Sequence, residues 1–310
     1  EPESSQVGVA AADRVGGAAA RETLVHLDLL AELWSHHPPR VLRAGGLGVR
    51  ELAQVARQLE ISTEQAAWVI ETASAAGLVA NDGEADPTWA PTPDYDAWTG
   101  REAAARWVAL TRAWLASPRA AYLVGTPIRS GRAAGQVSAL GPDAFWPPAR
   151  ALRLDVLGEL ARLAPGEAPT ASSLLARLAW RRPARNPAGA ADAVAAVIRE
   201  AHWLGLVGLG ALTTAGRALI EGGDHEALAG AIDASLPTAV DHVLLQADLT
   251  VVAPGPLEGE LAQLMGLVAD VESRGGATVL RISPTSVRRA LDTGLVADEL
   301  LAQLARFSRT

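Results

Sequence analysis

Apolar and polar positions along the chain alternate between a helical and a strand period, and the changes of period mark the elements. Leu24, Leu27, Leu30 and Trp34 recur at spacings of three and four, with Val25 and Leu33 widening the stripe. They predict a helix from Ala18 to His36 that ends at Pro38-Pro39. Val49 to Leu59 predicts a second helix. Ser62 followed by Gln65 is a capping box that opens a third, which runs to Ala76 and closes on Gly77. Leu78-Val79-Ala80, the turn Asn81-Asp82-Gly83 and Trp89-Ala90 then predict a hairpin. Helix, helix, turn, helix and hairpin is the order of a winged helix-turn-helix.

The pattern recurs. Gly77-Leu78-Val79 and Val69-Ile70 match Gly205-Leu206-Val207 and Val197-Ile198 at an offset of 128, and Ala90-Pro91-Thr92 matches Ala211-Leu212-Thr213 at 121. In the second copy the expected helices are Ala149 to Leu163, Ser172 to Leu178 and one within Ala188 to Leu204, with a minimal wing at Gly208-Leu209-Gly210 and a closing helix from Thr213 to about Glu221. Glu102 to Leu115 predicts a helix between the copies, with Trp107 and Trp114 on one face. Residues 1–17 read as a linker or tail, 18–124 as the first winged-helix domain with an additional helix, 125–147 as a connection and 148–235 as the second. Residues 236–310 read as a small α+β domain: two strands, a helix from Glu258 to Ser273, a strand from Thr278 to Ile282, and helices from Thr285 to Asp292 and Ala297 to Phe307. The expected fold is mainly α with small β, two winged helix-turn-helix domains followed by the α+β domain.

The last quarter also carries a resemblance. Gln246 to Pro256, QADLTVVAPGP, reads as a hairpin stopped by Pro254-Gly255-Pro256 and feeding a helix. Together with Asp241-His242, Val271 to Gly276 (VESRGG) and Ser286 to Asp292 (SVRRALD), it resembles the helicase-associated domain at the front of XPB-type helicases. It is most similar to large actinobacterial proteins that carry this domain after winged-helix repeats. The resemblance implies a DNA-binding or DNA-repair-associated module, because the related domain in XPB-type helicases is implicated in contacting damaged DNA. It also implies a motif that continues beyond Ser308 to Thr310, so the sheet should show an edge that is open or covered by another part of the chain. The chain opens on Glu1 rather than Met, which reads as a piece of a longer protein.

Composition narrows the chemistry. The chain has 310 residues and a formal charge of −8, the wrong sign for a dedicated nucleic-acid binder judged in bulk. The charge is uneven: 12 Arg against 17 acids in residues 1–145, 9 against 9 in 146–235, and 6 against 9 in 236–310. The middle region is the least repulsive to a phosphate backbone. There is no Cys, so disulfides and thiolate metal sites are excluded, and a reducing cytoplasm is allowed. All 27 basic residues are Arg. Without Lys there is no phosphate-loop ammonium and no Schiff base, so ATP hydrolysis is not expected. Arg-rich, Ala-rich usage points to a high-GC bacterial source. No apolar run has the length of a membrane span, and no basic-then-apolar signal opens the chain, so a cytoplasmic location is expected.

The candidate sites follow. Arg177, Arg181, Arg182 and Arg185, with Asn186, cluster around the loop leading into the second copy's third helix, where Arg would contact phosphates; a solvated loop with local ion pairs is the equal alternative. Arg288 and Arg289 lie in the family motif, in a weaker group with Arg274 and Arg281. In the first copy's third helix, Ala66, Val69, Ile70 and Ala73 form the core stripe, which leaves Glu64, Gln65, Trp68, Glu71 and Thr72 outward. Two outward carboxylates repel phosphate, and Trp68 is expected at an interface with another domain or protein. The six His do not assemble: His36-His37 suits a helix terminus, and Asp241-His242 reads as a structural pair. No catalytic motif is found, and no cofactor or metal is expected. The sequence therefore reads as a non-enzymatic module binding double-stranded DNA with weak sequence preference. A scaffold whose winged helices bind protein is the alternative.

Overall fold

A computed structural model describes residues 3–128, 135–181, 190–238, 240–257, 259–274 and 277–309. The fold is mainly helical with small antiparallel sheets. The chain divides into two compact units, Glu1–Leu236 and Pro237–Thr310.

The first unit begins with β1 (Ser4–Gln6) and α1 (Val9–His36). Residues 1–17 are therefore not a tail: β1 pairs antiparallel with β4 (Glu167–Pro169), and α1 starts nine residues ahead of the expected helix. Gly16 and Gly17 lie inside the helix. Here they let α1 approach other backbone closely. A Cβ on Gly16 would lie 2.7 Å from the Gly205 carbonyl oxygen, and one on Gly17 would collide with the Ser235 carbonyl. Asp13 adds a polar tie, accepting the Thr214 N–H and hydroxyl at 2.7 Å each.

After α1 come α2 (Val49–Gln58), α3 (Thr63–Ala75), and a hairpin of β2 (Val79–Asn81) and β3 (Trp89–Pro91). Ser62 caps α3 by accepting the Gln65 N–H, and Gly77 takes φ +74° in the left-handed region that glycine tolerates. Then follow α4 (Pro93–Thr99) and α5 (Ala103–Ala116). The second copy is α6 (Ala149–Ala161), β4, α7 (Ala171–Arg181), α8 (Ala190–Trp203), β5 (Val207–Gly208), β6 (Ala211–Leu212), α9 (Thr214–Ile220) and α10 (His225–Asp233).

The two copies share one core, which joins Leu24, Trp68 and Trp107 to Leu157, Val197 and Leu228. They are not the separate domains that composition suggests around 125–147. Two elements join them. α1 packs on α3, β3 and α5 and also on α8, β5 and α9. α5 lies against α10, and its two indoles reach α8: Trp107 Nε1 donates to the Leu204 carbonyl and Trp114 Nε1 to Glu200, each at 2.7 Å.

This union covers Glu71 and Thr72, which were expected outward, while Glu64 stays exposed. Residues Ala66 to Ala73 are all buried, Glu71 and Thr72 included. Glu71 accepts from Arg119 and from the Leu140 N–H at 2.7 Å, so its carboxylate faces no solvent that a phosphate could occupy. Trp68 is 1 % exposed, with its ring centroid 5.2 Å from that of Trp203 at the end of α8. The amphipathic arithmetic assumed a solvent face, and here a second helix set fills it.

The second unit holds a four-stranded sheet in the order β7-β8-β10-β9, all antiparallel: β7 (Leu244–Leu245), β8 (Thr250–Ala253), β9 (Asp270–Arg274) and β10 (Thr278–Arg281). α11 (Gly259–Val268), α12 (Pro284–Asp292) and α13 (Ala297–Phe307) complete it. The expected helix to Ser273 stops at Val268, and 270–274 is a strand, because pairing with β10 outweighs the helical reading of Asp270 to Ser273. Val243 forms a parallel bridge to Ser308 beside β7. Among the described residues nothing pairs with the outer edge of β9. Val243, Val251, Leu264, Met265 and Ala290 form a core of this unit's own.

Candidate nucleic-acid interface

The basic cluster of the first unit is built on one carboxylate. Glu159, in the last turns of α6, is buried, and an unpaired buried charge there would be costly. Three guanidinium groups converge on it. Arg181 Nε lies 2.8 Å from Oε1, Arg162 Nε 3.4 Å from the same oxygen, and Arg177 Nε 3.4 Å from Oε2. Arg177 and Arg181 are one turn apart on α7, so both face α6, and Leu174 on the same side anchors the helix in the core. Glu159 thus fixes three cations while neutralising one of them. Glu167 stands near. Its carboxyl is held below the usual range, first by the Ser4 hydroxyl, then by the Ala164 N–H and by the charge of Arg177.

Trp180 rises beside this cluster, three residues after Arg177, and is 80 % exposed. The Arg181 guanidinium carbon is 5.9 Å from its ring centroid. Every other Trp of the nine is buried or half-buried. Sequence reasoning missed both Glu159 and Trp180. Glu159 sits among core residues of a helix distant in sequence. The Trp-Arg pair at 180–181 was the available signal for the indole.

The other predicted site residues divide. Arg182, Arg185 and Asn186 lie outside the described residues. Arg289 is engaged within its unit, donating to the Leu267 carbonyl at 3.2 Å and to Asp270 at 2.9 Å, where it holds the end of α11. Ser286 of the same motif donates to the Val268 carbonyl at 2.7 Å. These motif residues hold the fold. Arg288 is exposed on α12. Arg281 pairs with Glu272 at 2.7 Å.

α3 and α8 contact each other. Arg199 of α8 donates through Nε to Glu64 of α3 at 3.0 Å, and Trp203 lies against Trp68. Glu200 of α8 is buried with Arg153 at 3.5 Å. Burial pushes the Glu200 carboxyl up and the Arg153 guanidinium down. Among the described residues no group of His and carboxylates could hold a metal. His242 lies 2.9 Å from Asp241, a carboxylate that also pairs with Arg309 at 3.1 Å. An open groove of about 390 Å³ beside Trp34, His37, Pro38 and Glu51 lacks convergent buried polar groups. No helix of the described residues is long and apolar enough to cross a membrane.

Comparison with curated proteins returned no match. Residues 243–310 match the model of a protein family described as the helicase conserved C-terminal domain. That span is nearly the whole second unit, and the match supports a helicase-associated domain there, a helicase-related module associated with nucleic acid.

Proposed function

We propose that the chain is a non-enzymatic DNA-binding or DNA-repair-associated module of a helicase-related system. On this reading the first unit is a fused pair of winged helices that grips the nucleic-acid backbone through α6 and α7. The observation that carries it is the trio Arg162, Arg177 and Arg181 held on the single buried carboxylate of Glu159. Guanidinium groups fixed in place lose little freedom when they meet phosphates, and their planar forks suit phosphate oxygens. The match of the second unit to a helicase domain supports the setting. The lack of Lys supports a passive role, since no phosphate-loop ammonium exists in the sequence.

Binding of this kind is electrostatic. Three phosphate contacts give a slope of about −3 for log affinity against log salt on duplex DNA. The test is fluorescence anisotropy of a labelled DNA at several salt concentrations, with the 310-residue chain and with Arg162, Arg177 and Arg181 all changed to Ala. The reading expects weaker binding and a flatter slope in the variant. Unchanged affinity and slope with the fold intact would reject it.

A second reading keeps support from the acidic charge of −8 and from the burial of α3. In it the winged helices serve as a scaffold for protein partners. Failure of the unaltered chain to bind DNA at low salt would favour it.

A further inference from the structure

We infer that the α6–α7 site takes single-stranded nucleic acid, with Trp180 as a stacking platform for a base. This rests on the reading that the Arg cluster meets phosphates, and it names the form of nucleic acid.

Two groups of observations lead there. The first concerns what a duplex would need. A winged helix reads a duplex by laying its third helix in the major groove. α3 is buried from Ala66 to Ala73, and α8 meets α3 through the surface pair Arg199–Glu64 and through Trp203–Trp68. The first turn of α8 carries Asp192, which repels phosphate. The wing of the second copy, β5 and β6, has two residues per strand, too short to follow a groove. What α8 leaves exposed, Ala191, Asp192, Arg199 and His202, offers one acid and an Arg already paired with Glu64.

The second concerns what remains on the surface. Trp180 is the one fully exposed indole of the nine, at 80 % exposure, on a helix whose opposite side is anchored by Leu174. Trp is enriched at contact surfaces, and an exposed indole beside Arg is the pairing that stacking platforms use. The charge beside it selects the partner. Arg177 lies at the i, i−3 position, Arg181 lies 5.9 Å from the ring, and the trio of Arg outnumbers the acids beside it, Glu159 and Glu167. An apolar protein surface would leave those cations unanswered. A single strand answers both at once: its phosphates meet the guanidinium groups, and a splayed base lies on the indole. Paired bases in a duplex have their faces covered by neighbours, so they cannot use the platform. Stacking is tolerant of base identity, since every base has a π-face.

Trp180 also provides the readout. The remaining indoles are buried or half-buried, so iodide quenches Trp180 most strongly, and W180F gives the background from the others. The experiment titrates the 310-residue chain with a 12-nucleotide mixed-sequence DNA strand and with the corresponding duplex, following Trp emission and anisotropy. The single strand is expected to bind more tightly, to quench the red-edge emission and to protect it from iodide. W180A is expected to lose roughly tenfold in single-strand affinity, the size of one stack, and with it the preference over duplex; W180F keeps most of the affinity. Both substitutions are at an exposed position, and thermal unfolding checks that the fold survives. Equal binding of strand and duplex, or a W180A variant that keeps the strand preference, overturns this inference while the electrostatic reading stands. If neither form binds at low salt, both fall.

Discussion

Glu159 is the residue on which the basic cluster depends, and removing its charge separates its two roles. In Glu159→Gln three guanidinium groups lose their shared anion. The partners are partly exposed, so the expected loss is about 1 to 2 kcal/mol in urea unfolding. The local charge rises by one, so affinity for nucleic acid should rise. Weaker binding with an intact fold would mean that Glu159 acts chiefly by orienting the guanidinium groups. Tyr95 offers a second test. Burial, and then the nearby Asp28 carboxylate, push its phenol up to about 12 from the ordinary 10.0. The neutral phenol is favoured in the fold, so its contribution to stability is complete below pH 10 and fades as pH rises toward 12. Absorbance titration of the folded chain should show this late step, and Asp28→Asn should bring it to lower pH. A Tyr95 step at pH 10 in the folded chain would contradict the geometry. At this scale the sequence made Arg177 and Arg181 legible through charge clustering. Glu159 and Trp180 were hidden, because one comes from another helix and the other needs the fold to show that no core claims it.

Among the elements, α1 carries the most unexpected load. Its periodic stripe from Leu24 to Trp34 was legible, and its first nine residues were not. Gly16 and Gly17 weaken a helix in isolation, and only their close approach to Gly205 and Ser235 explains them. Gly17→Ala should therefore destabilise the first unit, by about 2 kcal/mol, despite the better helix propensity of Ala. A stabilised variant in thermal unfolding would show that the approach is looser than described. The same lesson holds for β9. Asp270 to Arg274 has no strong strand composition, and its state is decided by the ladder to β10. α3 erred in the opposite way: its period was right, but its polar side met α8 and Arg119 instead of water. Local pattern identifies an element well and says little about what covers its second face.

At the scale of the whole molecule, the boundary near residue 236 was legible as a change in aromatic content, since all nine Trp precede it. Each unit has its own core. Limited proteolysis should therefore cut first near residues 237–242 and release two stable fragments, with Trp emission reporting only the first unit. Rapid degradation of both would argue against independent cores. The central claim is that the α6–α7 face meets nucleic acid while α3 stays within the fold. Hydrogen exchange with and without a saturating DNA strand at low salt tests it most directly. The account predicts added protection in Ala149–Ala161 and Ala171–Arg181, with α3 already protected in the free chain and unchanged on binding. Added protection confined to other segments, or binding that exposes α3, would contradict it.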